Sequence, residues 1–379
     1  MACGLLVACI HAVHATPIVP TRDDEVVEVL PAMTGNRAQA RRMRKALAER
    51  PKDPQLALAL ATRYLAQAHE SGDPRFAGMA VSAIQAWADD PTAPDDVLMM
   101  RATLQQYLHE FDASVASLQT LLARAGGSPR PQAWLTLATV RRVQGRYADS
   151  DAACEHVARA GAALHSGACL AENAALRGDV AQARAAFARL VSTTQNPPAT
   201  QAWLTTSIAE LEQRAGNAAA AEAAFNAALK LAPDDYTTLA YADFLIEQRR
   251  PAQALALLGG QPRSDAVLLR RAIAGTQAKA ASAAADVAEM RERIALANER
   301  PDAKVFHGRE QAMFALAVDH DARLALELAR GNAAKQREPL DLLVLAQAAR
   351  ASGDAAAIEG VRRLIGEMGL VDHRIKAVL

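Results

Sequence analysis

The sequence predicts an all-α fold, an α-solenoid of stacked antiparallel helix pairs. Three observations lead there. Hydrophobic residues make up 51% of the 379 positions, yet aromatics are only 4% and alanine dominates. Alanine, leucine, arginine, glutamate and glutamine are the strongest helix formers, and no Val/Ile/Thr-rich alternating run persists beyond a few residues. The third observation is an internal pattern that returns every 33 to 41 residues, the period range of repeat architectures. Alanine at helix contacts lets two backbones approach closely, so many thin layers suit this composition better than one thick core. The length allows two or three compact domains or one extended array.

Residues 1–15, "MACGLLVACIHAVHA", are short and apolar and end on a small-residue cleavage pattern, "VHA". They fall short of the ~20 apolar residues that a transmembrane helix needs. No Lys or Arg precedes the apolar run, and His11 and His14 interrupt it. Three readings stand: export with cleavage after Ala15, which we prefer and which implies a periplasmic or otherwise exported chain; a lipid anchor on Cys9, since "LVAC" resembles a lipobox; and a cytoplasmic terminus. Residues 16–35 carry too many prolines and charges for regular structure and read as an extended lead-in.

The repeat occupies residues 36–260. Alanine followed by threonine occurs at Ala61, Ala102 and Ala138, and alanine followed by an acid at Ala171, Ala209 and Ala242. Seven residues beyond Ala138, Ala171 and Ala209 stand Gly145, Gly178 and Gly216. Glycine belongs where a helix ends and the chain turns back with φ > 0. His109 and Arg249 hold that place in two other units, so those turns are made less easily. Five residues after the glycines come the small Ser150, Ala183 and Ala221, and four further Cys154, Phe187 and Phe225. That spacing is one helical face: a small residue admits the neighbouring helix, and the larger one fills the space behind it. Pro51, Pro91 and Pro233 stop second helices.

Trp134, Ala138, Gly145, Tyr147, Ser150 and Cys154 resemble one tetratricopeptide repeat, and Ala209, Gly216, Ala221, Phe225, Ala228 and Pro233 resemble another. The resemblance covers about Asp53 to Gly260 as six helix pairs and implies a right-handed superhelix. The whole pattern is also similar to exported tetratricopeptide proteins of proteobacteria. Residues 261–379 continue as degenerate helical repeats, with a Gly353 turn of the same kind and a capping helix at "DHRIKAVL". A helix pair cannot bury its apolar face alone, and stacking on the next pair does so. Trp134 and Trp203 are therefore expected in the core, and Tyr147 between layers.

Nothing in the sequence forms a catalytic constellation. There is no phosphate-binding glycine loop after a strand, no His-x-x-x-His or Cys-x-x-Cys spacing for zinc, and acid pairs such as Asp89-Asp90 and Asp234-Asp235 fall where carboxylates cap helices. We expect no enzyme activity, no cofactor and no metal. Basic and acidic residues balance at 42 each, and the one dense basic stretch, "RRMRKALAER", reads as a solvated helix face, so no nucleic-acid partner is expected. Cys154 and Cys169 fall on neighbouring helices of the stack that the resemblance implies. In an exported chain their even count favours a bridge; two buried thiols are the alternative.

By the resemblance, first helices line a concave groove that receives a protein or peptide. The residues after the recurrent alanines would face it: Thr62, Thr103, Thr139, Glu172, Glu210 and Asp243. Three positions on stand Leu65, Gln106, Arg142, Ala175, Gln213 and Ile246. The column turns from hydroxyl to carboxylate, and carboxylates in a concave wall attract cations, so a basic segment or free amine is expected there. The carboxylate clamp of chaperone-binding members is missing, since Leu135 and Thr139 stand where Lys and Asn are needed. A rival reading is an enzyme or carbohydrate-active protein whose pairs close into a toroid, last helices against first.

Overall fold

The computed structural model describes residues 35–71, 73–124, 129–192, 196–299 and 308–379. The expectations for the leader, cleavage after Ala15 and lipid on Cys9, lie outside these residues, as does the lead-in up to residue 34. Among the described residues the chain is an α-solenoid without strands. After α1 (Gly35–Glu49) come six consecutive pairs. They are α2 (Pro54–Ser71) with α3 (Pro74–Ala83), α4 (Asp95–Tyr107) with α5 (Phe111–Ala123), and α6 (Pro131–Val143) with α7 (Tyr147–Arg159). Then follow α8 (Ala163–Leu176) with α9 (Val180–Val191), α10 (Pro198–Arg214) with α11 (Ala218–Leu231), and α12 (Asp235–Glu247) with α13 (Pro251–Leu258). The array continues through α14 (Asp265–Ala278), α15 (Ala283–Asn298), α16 (Gly308–Ala317) and α17 (Ala322–Ala333). It ends in α18 (Pro339–Ser352), α19 (Ala355–Met368) and the short α20 (His373–Val378). No described helix is long and apolar enough to cross a membrane.

The local rules explain the pairs. The six recurrent alanines are all buried, so each second helix can lie against the backbone of the first. In two pairs a serine makes the contact specific: the Ser114 and Ser150 hydroxyls donate to the carbonyls of Ala102 and Ala138, both at 2.8 Å. A buried hydroxyl is thereby satisfied by a helix carbonyl. Phe187 and Phe225 are fully buried behind Ala183 and Ala221. Gly145, Gly178 and Gly216 turn with φ of 76°, 90° and 82°, and His109 and Arg249 hold the same left-handed turn at 57° and 58°, at a cost of about 1–2 kcal/mol each for an L side chain.

The sulfurs of Cys154 on α7 and Cys169 on α8 are bonded, closing a loop with a sequence separation of 15. Both residues are buried. Beside them the Asn173 amide donates to Ser150 Oγ at 2.9 Å and Asp151 Oδ1 at 2.8 Å, so polar bonds cross the same pair boundary. Replacing Cys154 by serine is expected to cost about 3 kcal/mol, the chain-entropy value for a loop of this size. Urea unfolding of C154S beside the oxidised wild type measures it; equal midpoints would mean the bridge carries no stability.

The spiral does not stay open. The Arg337 amide donates to the Val143 carbonyl, and the Val371 amide to the Leu176 carbonyl, both at 2.8 Å. Tyr147 and Leu176 join one apolar cluster with C-terminal residues such as Leu342, Val361, Leu370 and Ile375. Met368, Val371 and His373 sit directly over the turn glycines Gly145, Gly178 and Gly216. Arg374 binds Asp372 at 2.7 Å and Glu247 of α12 at 3.2 Å. Among the described residues the last helices thus meet the third to sixth pairs rather than the first, and this stretch is neither an open superhelix nor a ring closed end to end.

One packing expectation is corrected. Trp203 is 39% exposed, because its neighbours Ala202 and Leu204 take the buried side of α10. It covers His165 instead, ring centroids 5.8 Å apart. Trp134 is half-buried against the core and stacks on His156 at 3.9 Å.

A charged cavity inside the spiral

Because the return segment lies across the array, the concave side becomes a cavity of about 350 Å³, within the size range of small-ligand sites. Its wall comes from first helices, α6, α8, α10, α12 and α14, from Tyr147 at the start of α7, and from residues of α16, α18, α20 and the segment before α18. Successive first helices present their inner faces at a fixed register, which brings residues far apart in sequence together.

Charge in this wall is mostly paired. Arg142 forms an ion pair with Glu172, which also accepts from Ser207 Oγ at 3.2 Å. Asp243 holds Arg270 at 2.6 Å, with both side chains largely buried. Glu247 is bound by Arg374 and accepts from Gln213 Nε2 at 2.7 Å. Arg309 bridges Glu310 at 3.1 Å and Glu338 at 3.2 Å. Glu210 accepts from the Tyr236 hydroxyl at 2.6 Å. Tyr236 is 63% exposed, but it stands among the cavity walls, so the lumen is what its ring faces.

Burial pushes the Glu210 carboxyl above the usual range, opposed by the Arg214 charge and the Tyr236 hydroxyl. The Glu210 charge, then burial, holds the Tyr236 phenol well above its ordinary value. Burial also raises Glu247 despite Arg374, and lifts Tyr147 to about 12 against the nearby arginines. These are the directions expected where protein atoms and like charge crowd a carboxyl or a phenol.

Of the groove column read from sequence, Arg142, Glu172, Glu210, Gln213 and Asp243 line the cavity. Thr62, Thr103, Gln106 and Thr139 do not. The Thr103 and Thr139 hydroxyls donate to the carbonyls of Met99 and Leu135 one turn back, and α6 reaches the wall only through Arg142 and Val143 at its end. Ala175 is buried and Ile246 packs into the core. The expected negative wall is also corrected. Its carboxylates are engaged by arginines or by Tyr236, so the column presents no free run of negative charge. Four lining residues escaped sequence reading although they follow the column at helical spacing or extend it: Arg214, Tyr236, Glu247 and Arg270. Arg214 and Glu247 stand four residues after Glu210 and Asp243, one turn along the same face. Among the described residues no group of three or more His, Cys, Asp or Glu could hold a metal ion.

No protein-family model matches the sequence, and no curated protein matches it. Solved structures do match in shape. A Rap protein complexed with Competence and Sporulation Factor is similar over 90% of this chain and 93% of its own, with TM-score 0.51 and 10% identity. A tetratricopeptide repeat protein from Parabacteroides merdae is similar over 76% of this chain and 98% of its own, with TM-score 0.41 and 11% identity. The tetratricopeptide domain of P58(IPK) is matched over 86% of this chain and 96% of its own, with TM-score 0.26 and 15% identity. The fold is accordingly an α-solenoid of stacked helix pairs similar to that of the Rap protein.

Proposed function

We propose that the chain is a non-enzymatic scaffold that binds a segment of another protein, or a peptide, in the cavity inside the spiral. The observation that carries this reading is the wall itself: polar side chains from five first helices and the C-terminal return converge on one space. A catalytic acid or base must exchange its proton with substrate at hydrogen-bond range. Here Glu172, Asp243, Glu247 and Glu338 are each bound to arginine or amide groups, which suits a fixed recognition surface better than proton transfer. The Rap structure, of the same fold, carries Competence and Sporulation Factor, in keeping with a solenoid that receives a partner.

Ala240 is half-buried in the cavity wall. Replacing it by tryptophan fills the lumen and leaves every ion pair in place. Affinity capture from the native cells should return a partner with the wild type and lose it at least tenfold with A240W, thermal unfolding confirming that the variant folds. The same partner held equally by both would remove the cavity from the reading.

The same reading puts the mature chain outside the cytoplasm, in a periplasm-like compartment or anchored there through Cys9. The Cys154–Cys169 bridge supports it, because disulfides persist where glutathione does not reduce them. Mass spectrometry of the cellular protein without reductant should find an N-terminus at Thr16 or a lipidated Cys9, with both later cysteines unreactive to alkylation. A chain beginning at Met1 with free thiols would place it in the cytoplasm.

A further inference from the structure

The cavity's charges are unevenly committed. Each of its carboxylates has a donor: Glu172, Asp243 and Glu247 an arginine, Glu310 and Glu338 the shared Arg309, and Glu210 the Tyr236 hydroxyl. Two guanidinium groups hold no acid by a hydrogen bond or close ion pair, although the Arg214 charge acts on Glu210. Among the described residues Arg214 makes no hydrogen bond or ion pair, and its Nε is buried. Arg337 bonds only the Ala333 carbonyl, at 3.1 Å, through its side chain. The third unspent group is the Tyr147 hydroxyl: the residue is 3% exposed, lines the cavity, and its oxygen has no partner.

These groups share one part of the wall. The Arg337 backbone is bonded to Val143, four residues before Tyr147, and the Arg214 charge is felt at Tyr147. A buried donor without an acceptor is destabilising, and an acceptor arriving here relieves that. Two guanidinium groups and a hydroxyl are donors to oxygen, and charge-assisted bonds of this kind are the strong ones.

Resting on the cavity as the binding site, we propose that Arg214, Arg337 and the Tyr147 hydroxyl form an anion subsite that takes the C-terminal carboxylate of a bound peptide. A singly charged group fits better than phosphate, because Glu210, bonded to a neutral hydroxyl rather than an arginine, shares the lumen and repels a second negative charge. The exposed ring of Tyr236 and the apolar Leu239, Ala240 and Leu340 offer contact to the last side chains. This ligand is the opposite in charge of the basic segment that the acid column implied.

The test passes a random library of N-acetylated hexapeptides over the immobilised full chain, once with free C-termini and once amidated, beside N-acetylated single amino acids. The free-acid library is expected to be retained and the amidated one lost at least tenfold. Arg214→Gln and Arg337→Gln should each weaken retention tenfold, Tyr147→Phe about threefold, and unfolding midpoints should hold, since neither arginine anchors an ion pair. Equal retention of both libraries, abolished by A240W, overturns the subsite and leaves the cavity reading intact. Retention indifferent to A240W overturns both. Single amino acids binding as well as hexapeptides, displacement by inorganic phosphate where acetate fails, or no retention of either library also overturns the proposal.

Discussion

Replacing Arg374 by alanine is expected to destabilise the folded chain by about 3–5 kcal/mol at neutral pH, the cost of leaving buried charges without their partner. Arg374 is only 17% exposed at its side chain and faces Asp372, which is fully buried, and Glu247, 20% exposed. Its bond to Glu247 crosses 127 residues, fastening the last helix to the sixth pair. The penalty should depend on pH. Burial already holds the Glu247 carboxyl above its ordinary value with the arginine present, and loss of the cation raises it further. A carboxyl with a raised folded pKa keeps a proton that the unfolded chain releases, so stability falls as pH climbs from the unfolded value, about 4.3, through the folded one. The R374A deficit should therefore be larger at pH 8 than at pH 5. Urea midpoints of wild type and R374A at both pH values measure it. Wild-type stability at pH 8 would mean that the return is not held by this residue.

The parts of the molecule that sequence reading reached are those governed by neighbours. Ala138, Gly145, Ser150 and Cys154 obey rules of spacing within one pair, and a solenoid is the repetition of such rules. The turn glycines could be placed from sequence because a left-handed residue must stand where α6, α8 and α10 end. The cavity was half legible for the same reason: Glu172, Glu210 and Asp243 follow the recurrent alanine and share its helix face. The missing half has a different origin. Arg309, Arg337 and Arg374 reach the wall because the chain comes back upon itself, and no period links them to Glu172 or Glu247. An acid column looks like an attractant for cations until the arginines that neutralise it are placed. Thr103 and Thr139 failed for a more local reason, since their hydroxyls bond their own helix. Trp203 failed because aromatic size alone does not tell the buried side of α10 from the rim.

The turn glycines do more than turn the chain, and their substitution is the second large effect we expect. Gly161, Gly178 and Gly216 have φ of 88°, 90° and 82°, so alanine at any of them carries about 1–2 kcal/mol of left-handed strain. Their surroundings differ. A Cβ at Gly161 meets nothing within 4 Å, while at Gly178 it stands 3.0 Å from Val371 Cγ2 and 3.2 Å from its Cβ, and at Gly216 2.9 Å from the His373 ring. Overpacking of this sort costs about 1–3 kcal/mol more. Gly161→Ala should thus show backbone strain alone, Gly178→Ala should exceed it by at least 1 kcal/mol, and the Gly178→Ala/Gly216→Ala double variant should lose about 4 kcal/mol or more. The excess has a spatial signature. Val371 donates its amide to Leu176 two residues before Gly178, so hydrogen exchange at Val371 should accelerate in the double variant and stay slow in Gly161→Ala. If the three single substitutions cost the same and the Val371 amide remains protected throughout, the C-terminal helices do not rest on these turns, and the enclosed cavity loses the contact that closes it.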